Sequence, residues 1–367
     1  MAEDISSGIL AKDIYDSWQR SMQSGVDPYK KSLPDNILEG SILAQRLEQR
    51  RESISICKPT IQHLHALLAG VGGVIILSDH QGVIIDSMGD PEFMSKSDRV
   101  LLKTGASWLE RHRGTNAIGL AISKRGAATV LGENHFLEAH SFLSCSAAPI
   151  FLPDRRLVAV LDISTDKNSH HPHTIGLVKT AVICIEKQLF FADAERFPMT
   201  IKIHSEFQGL GSITEGIIGI GFDGLIQAAV TLALPFLEIQ ALDVGAVKLQ
   251  QILDISLDKI FSKKSPEVIK VRTHRGKTLY IRCSPSSGRV FKTQESKFLV
   301  EDEYVHEADN VLLSLQSELR NISLIAIENM LINTGGNISK AATQLGVSRN
   351  TVYKYLKQIT AKKIAIE

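Results

Sequence analysis

The stretch Gly335-Gly336-Asn337-Ile338-Ser339-Lys340-Ala341-Ala342-Thr343-Gln344-Leu345-Gly346-Val347-Ser348-Arg349-Asn350-Thr351-Val352-Tyr353-Lys354-Tyr355-Leu356-Lys357 carries two helical periods separated by one break. Ile338, Ala341, Ala342 and Leu345 recur at helical spacing and predict a first helix with one apolar face. Its two alanines leave room for a second helix to approach. Gly346 takes a left-handed turn without a Cβ clash, and Ser348 is placed to cap the helix that follows. In this reading Val347, Val352 and Leu356 face inward. Arg349, Asn350, Thr351, Tyr353, Lys354 and Lys357 point outward, and with Asn337 and Ser348 they form the candidate nucleic-acid set.

That outward chemistry suits a recognition helix. Arginine and asparagine near its start match guanine and adenine edges, and the threonine methyl can meet thymine. Lys354, Lys357 and Tyr353 suit phosphates, with the helix N-terminus adding partial positive charge. The alternative is an ordinary solvated helical hairpin. Charge favours the first reading. Beyond Arg320 the basic residues are Lys340, Arg349, Lys354, Lys357, Lys362 and Lys363, opposed only by Glu328 and Glu367, although the net charge of the chain is +1. The segment Gly335 to Lys357 resembles the Fis-type helix-turn-helix that ends many bacterial enhancer-binding activators. The resemblance implies double-stranded DNA as a partner.

At 367 residues and 44% hydrophobic content, two or three domains are expected. The sequence contains no run of 18 or more uncharged apolar residues and no signal-peptide pattern at its start, so the expectation is a soluble, cytoplasmic chain with no membrane partner. Cys57, Cys145, Cys184 and Cys283 form no Cys-x-x-Cys pair and read as reduced, mostly buried thiols. His170-His171-Pro172-His173 lacks the spacing of a closed metal site, and a linker is the better reading. No metal or cofactor is expected.

From the N-terminus, Ile14, Trp18 and Met22 predict a helix stopped by Gly25-Val26-Asp27-Pro28. A second helix is expected from about Asn36 towards Ala69, with a break near Pro59. Val74 to Leu77, the turn Asp79-His80-Gln81-Gly82, and Val83 to Ile85 read as a hairpin. Ala147 to Phe151, the turn Pro153-Asp154-Arg155-Arg156, and Leu157 to Ile163 read as another, and Ile175 to Phe191 as a closing helix. Trp108 with Arg113-Gly114-Thr115-Asn116-Ala117-Ile118-Gly119, His135-Phe136, Ala139-His140 and Ser144-Cys145-Ser146-Ala147-Ala148-Pro149-Ile150 resemble the sensor domain of the acetoin-catabolism regulator family. Ser17-Trp18-Gln19-Arg20-Ser21 is similar to the start of the same proteins. The resemblance covers roughly residues 10–190 and implies a GAF fold that senses a small-molecule effector. Trp108, Asn116, His135, His140 and Cys145 are its candidate ligand residues, and the plainer alternative makes the polar ones satisfied core or capping groups.

A composition shift near Arg196-Phe197-Pro198 starts a new unit. Gly216 to Phe222, the turn Asp223-Gly224 and Leu225 to Gln227 repeat the strand–turn–strand plan. Helical stretches are expected between about Ala228 and Phe261, then strands at Val268 to Arg272 and Thr278 to Cys283. This looks like a PAS-type domain. Its glycines are no dinucleotide fingerprint, because no helix start and ribose carboxylate follow at the right distance. Residues 284–302 read as linker. Ala308, Leu312, Leu315, Leu319, Ile322 and Ala326 make a short heptad seam, with Leu312, Leu315, Leu319 and Ile322 as candidate dimer contacts. A neighbouring helix could cover that seam in a monomer, but a homodimer also explains the need for two half-sites.

The chain is thus expected to be multidomain α+β. It reads as an N-terminal helical segment over 1–53, a GAF-like sensor over 54–195 and a PAS-like α/β domain over 200–285. A linker follows over 286–302, then a dimerisation helix with an all-α Fis-type helix-turn-helix over 303–367. Activators of this kind carry an ATPase between sensor and DNA-binding end. Here Gly276-Lys277-Thr278 has Val271 where the leading phosphate-loop glycine belongs, so ATP-driven promoter opening is not expected. The leading reading is a non-enzymatic, ligand-gated transcriptional regulator, with RNA polymerase as a further candidate partner. The alternatives are a non-sensing DNA-binding scaffold, or an enzyme with Cys145 as nucleophile and His135 or His140 as base. Arg349→Ala should weaken operator binding and relax specificity in footprinting. Lys357→Ala should weaken binding to all sequences and reduce the salt slope by about one.

Overall fold

The apolar spacing around Ile14, Trp18 and Met22 produces helix α1 (Lys12–Gln23), which stops at Ser24 ahead of the positive-φ Gly25. The structure is a computed structural model that describes residues 11–30, 37–68, 72–262, 268–285, 334, 337–345 and 352. The expected second helix divides at Arg50 into α2 (Gly40–Gln49) and α3 (Arg51–Leu67). Pro59 is carried inside α3 rather than breaking it. A proline forgoes one backbone N–H, but Cys57, Thr60, Ile61 and Leu64 are buried on one face of α3, and that packing holds the helix.

The first hairpin forms as read, from β1 (Gly73–Asp79) and β2 (Ile84–Gly89). Asp79 shapes its turn by accepting from the amides of Gln81 and Val83. Helices α4 (Pro91–Asp98), α5 (Glu110–Arg113) and α6 (Ala117–Lys124) follow. Strands β3 (Ala128–Leu131), β4 (Leu143–Phe151) and β5 (Leu157–Asp166) and helix α7 (Thr174–Ala192) come next. The strands make one sheet in the order β2-β1-β5-β4-β3, antiparallel from β2 through β5 and again between β4 and β3. Every residue of β4 is buried, as expected of a strand covered on both faces. The core on one side joins Val74, Ile76, Val130, Cys145 and Val160 to Trp108, Ile118 and Ile14. Helix α1 therefore shares the core of this unit.

Two compact units divide the chain. The first takes Met1–Pro149, Ala159–Ala181 and Gln316–Glu367, and the second takes Ile150–Val158 and Val182–Leu315. In the second, β6 (Met199–His204), β7 (Gly216–Ile220) and β8 (Ile226–Ala229) precede β9 (Ile269–Arg272) and β10 (Thr278–Pro285). Their order is β8-β7-β6-β10-β9, antiparallel throughout. The hairpin β7–β8 and the pair β9–β10 were legible in the sequence, but β6 was not. In the first sheet the last strand lies beside the first strand of the leading hairpin. In the second that central place falls to β6, the strand with which the unit opens. The helical region expected between Ala228 and Phe261 is mostly irregular. It contains only short helices, here α8 (Ala233–Leu237) and α9 (Leu257–Phe261), with single 3₁₀ turns between them.

A buried ion pair holds the second unit. Arg155, at φ 68°, donates to Ala229 O at 3.3 Å and Thr231 Oγ1 at 3.0 Å, and its guanidinium lies 4.4 Å from the Phe151 ring centroid. Glu186 on α7 sits 3.8 Å from Arg155 and accepts from the amides of Phe151 and Thr231 and from the Thr231 hydroxyl. Removing the carboxylate would strand a buried guanidinium. Glu186→Ala should lower stability by about 3–5 kcal/mol, measured as a fall in the urea unfolding midpoint.

Candidate functional site

Two places answer to the sequence reading, a cavity in the first unit and the helix at the C-terminal end. The cavity begins with the loop between α4 and α5. Trp108 is pinned by its amide to Gly82 O at 2.7 Å and by its indole Nε1 to Leu101 O at 2.9 Å. Asn116 caps α6: its Oδ1 accepts from Gly119 N at 2.8 Å, and its Nδ2 donates to Trp108 O and Gly114 O. Asn116 thus spends its polar atoms shaping the loop, which favours the capping alternative for this residue. Gly114 adopts φ 63°, and a Cβ there would lie 2.6 Å from Phe136 Cβ, so the turn needs glycine.

Helix α1 locks this loop from outside. Arg20 grips Glu110 with two bonds, Nε to Oε2 at 2.6 Å and Nη2 to Oε1 at 2.8 Å. Ser17 Oγ donates to Glu110 Oε1 at 2.6 Å and lies 2.8 Å from the Thr115 hydroxyl. Trp18 donates its Nε1 to Asn134 O and meets the Phe136 ring edge-on. The two quoted motifs at 17–21 and 113–119 are therefore halves of one contact.

Leu102, Trp108, Asn116, Ala117, Ile118, Cys145, Asp162 and Ser164 line a set of gaps too narrow to seat a water. Of the five candidate ligand residues, Trp108, Asn116 and Cys145 line it. His135 and His140 stand apart from the lining. The His140 ring stacks on Trp108 at 4.8 Å, and His135 meets His140 edge-on at 6.2 Å. Burial lowers the His135 pKa to about 4. Burial, then His135 and Arg113, hold His140 well below the ordinary imidazole range, so both rings are neutral at pH 7. Both His140 ring nitrogens and His135 Nε2 lack hydrogen-bond partners among the described residues.

Asp162 and Ser164 were not among the expected site residues. Asp162 is 1% exposed on β5, opposite Ile76. Its Oδ2 accepts from Ser164 Oγ at 2.6 Å, and its Oδ1 has no hydrogen-bond partner. Burial raises its pKa to about 7, with the Ser164 bond opposing the rise. Ser164 Oγ also lies 3.0 Å from Cys145 Sγ. Burial and the neighbouring Asp162 push the Cys145 thiol well up, so it is no thiolate at neutral pH and is a poor nucleophile. The signal for Asp162 was a lone acid inside the apolar run Val158-Ala159-Val160-Leu161-Asp162-Ile163.

At the other end, Ile338–Leu345 forms helix α10, and Ala341 and Ala342 are buried, as is Val352. Asn337 Oδ1 accepts from Lys340 N at 3.0 Å and so serves as the N-cap of α10. Ser348, Arg349, Asn350, Thr351, Tyr353, Lys354 and Lys357 lie outside the described residues, as do Leu312, Leu315, Leu319 and Ile322. Among the described residues, no group of three His, Cys, Asp or Glu side chains could hold a metal ion, and no helix is long and apolar enough to cross a membrane.

These features define a two-sheet α+β protein with a narrow, mostly apolar site around one buried carboxyl and, towards its C-terminal end, a short helix. Residues 318–358 match the bacterial regulatory protein, Fis family. Residues 3–187 match the MimR N-terminal domain, and the chain belongs to that family. It is 30% identical over 187 residues to the acetoin dehydrogenase operon transcriptional activator AcoR of Bacillus subtilis, covering 51% of this chain and 31% of that protein. It is 38% identical over 161 residues to the acetoin catabolism regulatory protein of Cupriavidus necator, covering 41% and 23%. The propane 2-monooxygenase operon transcriptional activator MimR of Mycolicibacterium smegmatis is 27% identical over 182 residues, covering 49% and 30%. These alignments span between 23% and 31% of those relatives' own length. Among solved structures, the Escherichia coli DhaR(N)–DhaL complex aligns with a TM-score of 0.48 at 14% identity, covering 74% of this chain and 99% of that one.

The buried carboxyl makes a pH prediction. Its folded pKa of about 7 exceeds the unperturbed 3.8, so it costs nothing at low pH and destabilises increasingly as pH rises through that interval. Asp162→Asn removes the charge. From about pH 5 to about pH 8 the variant should gain about 3 kcal/mol of stability over the parent, followed by thermal melts across that range.

Proposed function

We propose that the chain is a one-component transcriptional regulator. A GAF-like domain binds a small metabolite, and a Fis-type helix-turn-helix binds DNA without ATPase activity. The observation that carries this reading is the coexistence, in one chain, of a Fis-family segment at 318–358 and a narrow apolar site with an unpartnered buried acceptor. Of the three relatives named above, two are operon transcriptional activators and one is a catabolism regulatory protein. The second sheet supports a PAS-like reading in its spatial strand order, with β6 occupying the place that the last strand holds in the first sheet. A homodimer would present two recognition helices to the half-sites of one operator, with the seam over Leu312, Leu315, Leu319 and Ile322 as its contact. RNA polymerase is then the natural second partner at the promoter.

The deciding experiment is to sequence genomic DNA co-purified with the full chain, with and without panels of small metabolites. Enrichment of a few sites sharing two half-sites, altered by at least one metabolite, is the expected result. Random genomic fragments, unaltered by any of them, would leave only a scaffold.

A further inference from the structure

The cavity of the first unit carries an imbalance that points to its occupant. Its walls at Leu102, Trp108, Ala117 and Ile118 are apolar, and the polar atoms of Asn116 are spent within the loop. The Ser164 hydroxyl is directed to Asp162 Oδ2, and the Cys145 thiol is protonated. Asp162 Oδ1 remains. It is a buried acceptor without a donor, on a residue that lines the space. Such an atom costs stability unless something donates to it.

We propose that this cavity binds a small uncharged alcohol, whose hydroxyl donates to Asp162 Oδ1 and whose carbon skeleton lies against Trp108 and Ile118. This rests on the sensor reading above and narrows it. Size sets one limit. The gaps seat no water as they stand, so the walls must part for any ligand, and the cost of parting them rises with each non-hydrogen atom admitted. Charge sets the other. A carboxylate ligand would place a second anion beside Asp162 in a site without water, where like charges repel strongly. An ammonium would have to be desolvated fully, and burying an ion pair seldom repays that cost. A ketone brings an acceptor to an acceptor wherever Asp162 is ionised. The hydroxyl alone supplies the missing proton at little desolvation cost.

Binding of cyclobutanol, cyclobutanone, cyclobutylamine and propionate, probes matched in size, to the full chain would be followed by thermal shift and calorimetry at about pH 8.5, above the range in which a carboxyl of this kind titrates. The expected result is that cyclobutanol raises the melting temperature and the other three do not. In Asp162→Asn the side-chain oxygen keeps the Ser164 bond and turns its amide N–H₂ towards the space. Cyclobutanol should then lose about tenfold to a hundredfold in affinity, and cyclobutanone should become the better ligand. A second variant, Ile118→Phe, fills the space and should abolish cyclobutanol binding while leaving Asp162 in place. Binding of propionate or cyclobutylamine in preference, or cyclobutanol binding unchanged by Asp162→Asn, would overturn the assignment and leave a sensor of another chemical class. Silence from all four probes, in parent and variants alike, would overturn both this assignment and the sensing role of the cavity.

Discussion

A carboxyl group set into the buried face of β5 determines the character of the first unit. Strand β5 lies between β1 and β4, so Asp162 reaches no water, and only one of its two oxygens is answered within the protein. A sheet chosen for stability alone would carry valine there, as at Val160 one step along the same face. The surroundings temper the cost. The Ser164 hydroxyl donates to one oxygen, and burial lifts the carboxyl pKa to about 7, so that the group is partly neutral near physiological pH. Retaining an awkward group in the middle of a core is the pattern of a site that is completed by something else.

Around that group the chain has built a rigid frame. The Arg113-to-Gly119 loop is held from inside by Asn116 and from outside by Ser17 and Arg20 on α1. Gly114 is required because Phe136 fills the volume a side chain would need. The frame keeps Trp108 flat against His140 and presents its other contacts to the gap. The motif residues are thus mostly structural, and the group that faces the space unanswered comes from a strand outside the motif.

The second unit reaches the same five-stranded spatial arrangement by different threading. Its central strand β6 precedes the β7–β8 hairpin instead of following the β9–β10 pair. An antiparallel sheet is indifferent to which end of the chain supplies a given strand, provided the hydrogen-bond ladder and the alternation of faces are met. The turn at 153–156 belongs to this unit, where Arg155 and Glu186 satisfy backbone groups of Phe151, Ala229 and Thr231.

Local chemistry made much of this legible. The hairpins at 73–89, 143–166 and 216–229, the long helix α7, the helix at 338–345 and the stop after α1 all follow from alternation, helical period and turn residues that act over a few positions. Trp108, Asn116 and Cys145 were found through the quoted motifs, and the structure brings them to one cavity. Tertiary contact decided the rest. Whether Pro59 breaks a helix depended on what α3 buries, and whether Asn116 reads a ligand or caps a helix depended on where Gly119 and Trp108 lie. The edge strand β3 and the central strand β6 are short, and β6 owes its central place to pairing with β10, far along the chain. Asp162 could be recognised as unanswered only once every neighbouring donor had been placed. Pattern along a sequence reports which face a residue prefers, whereas the satisfaction of a buried polar atom is a property of everything folded around it.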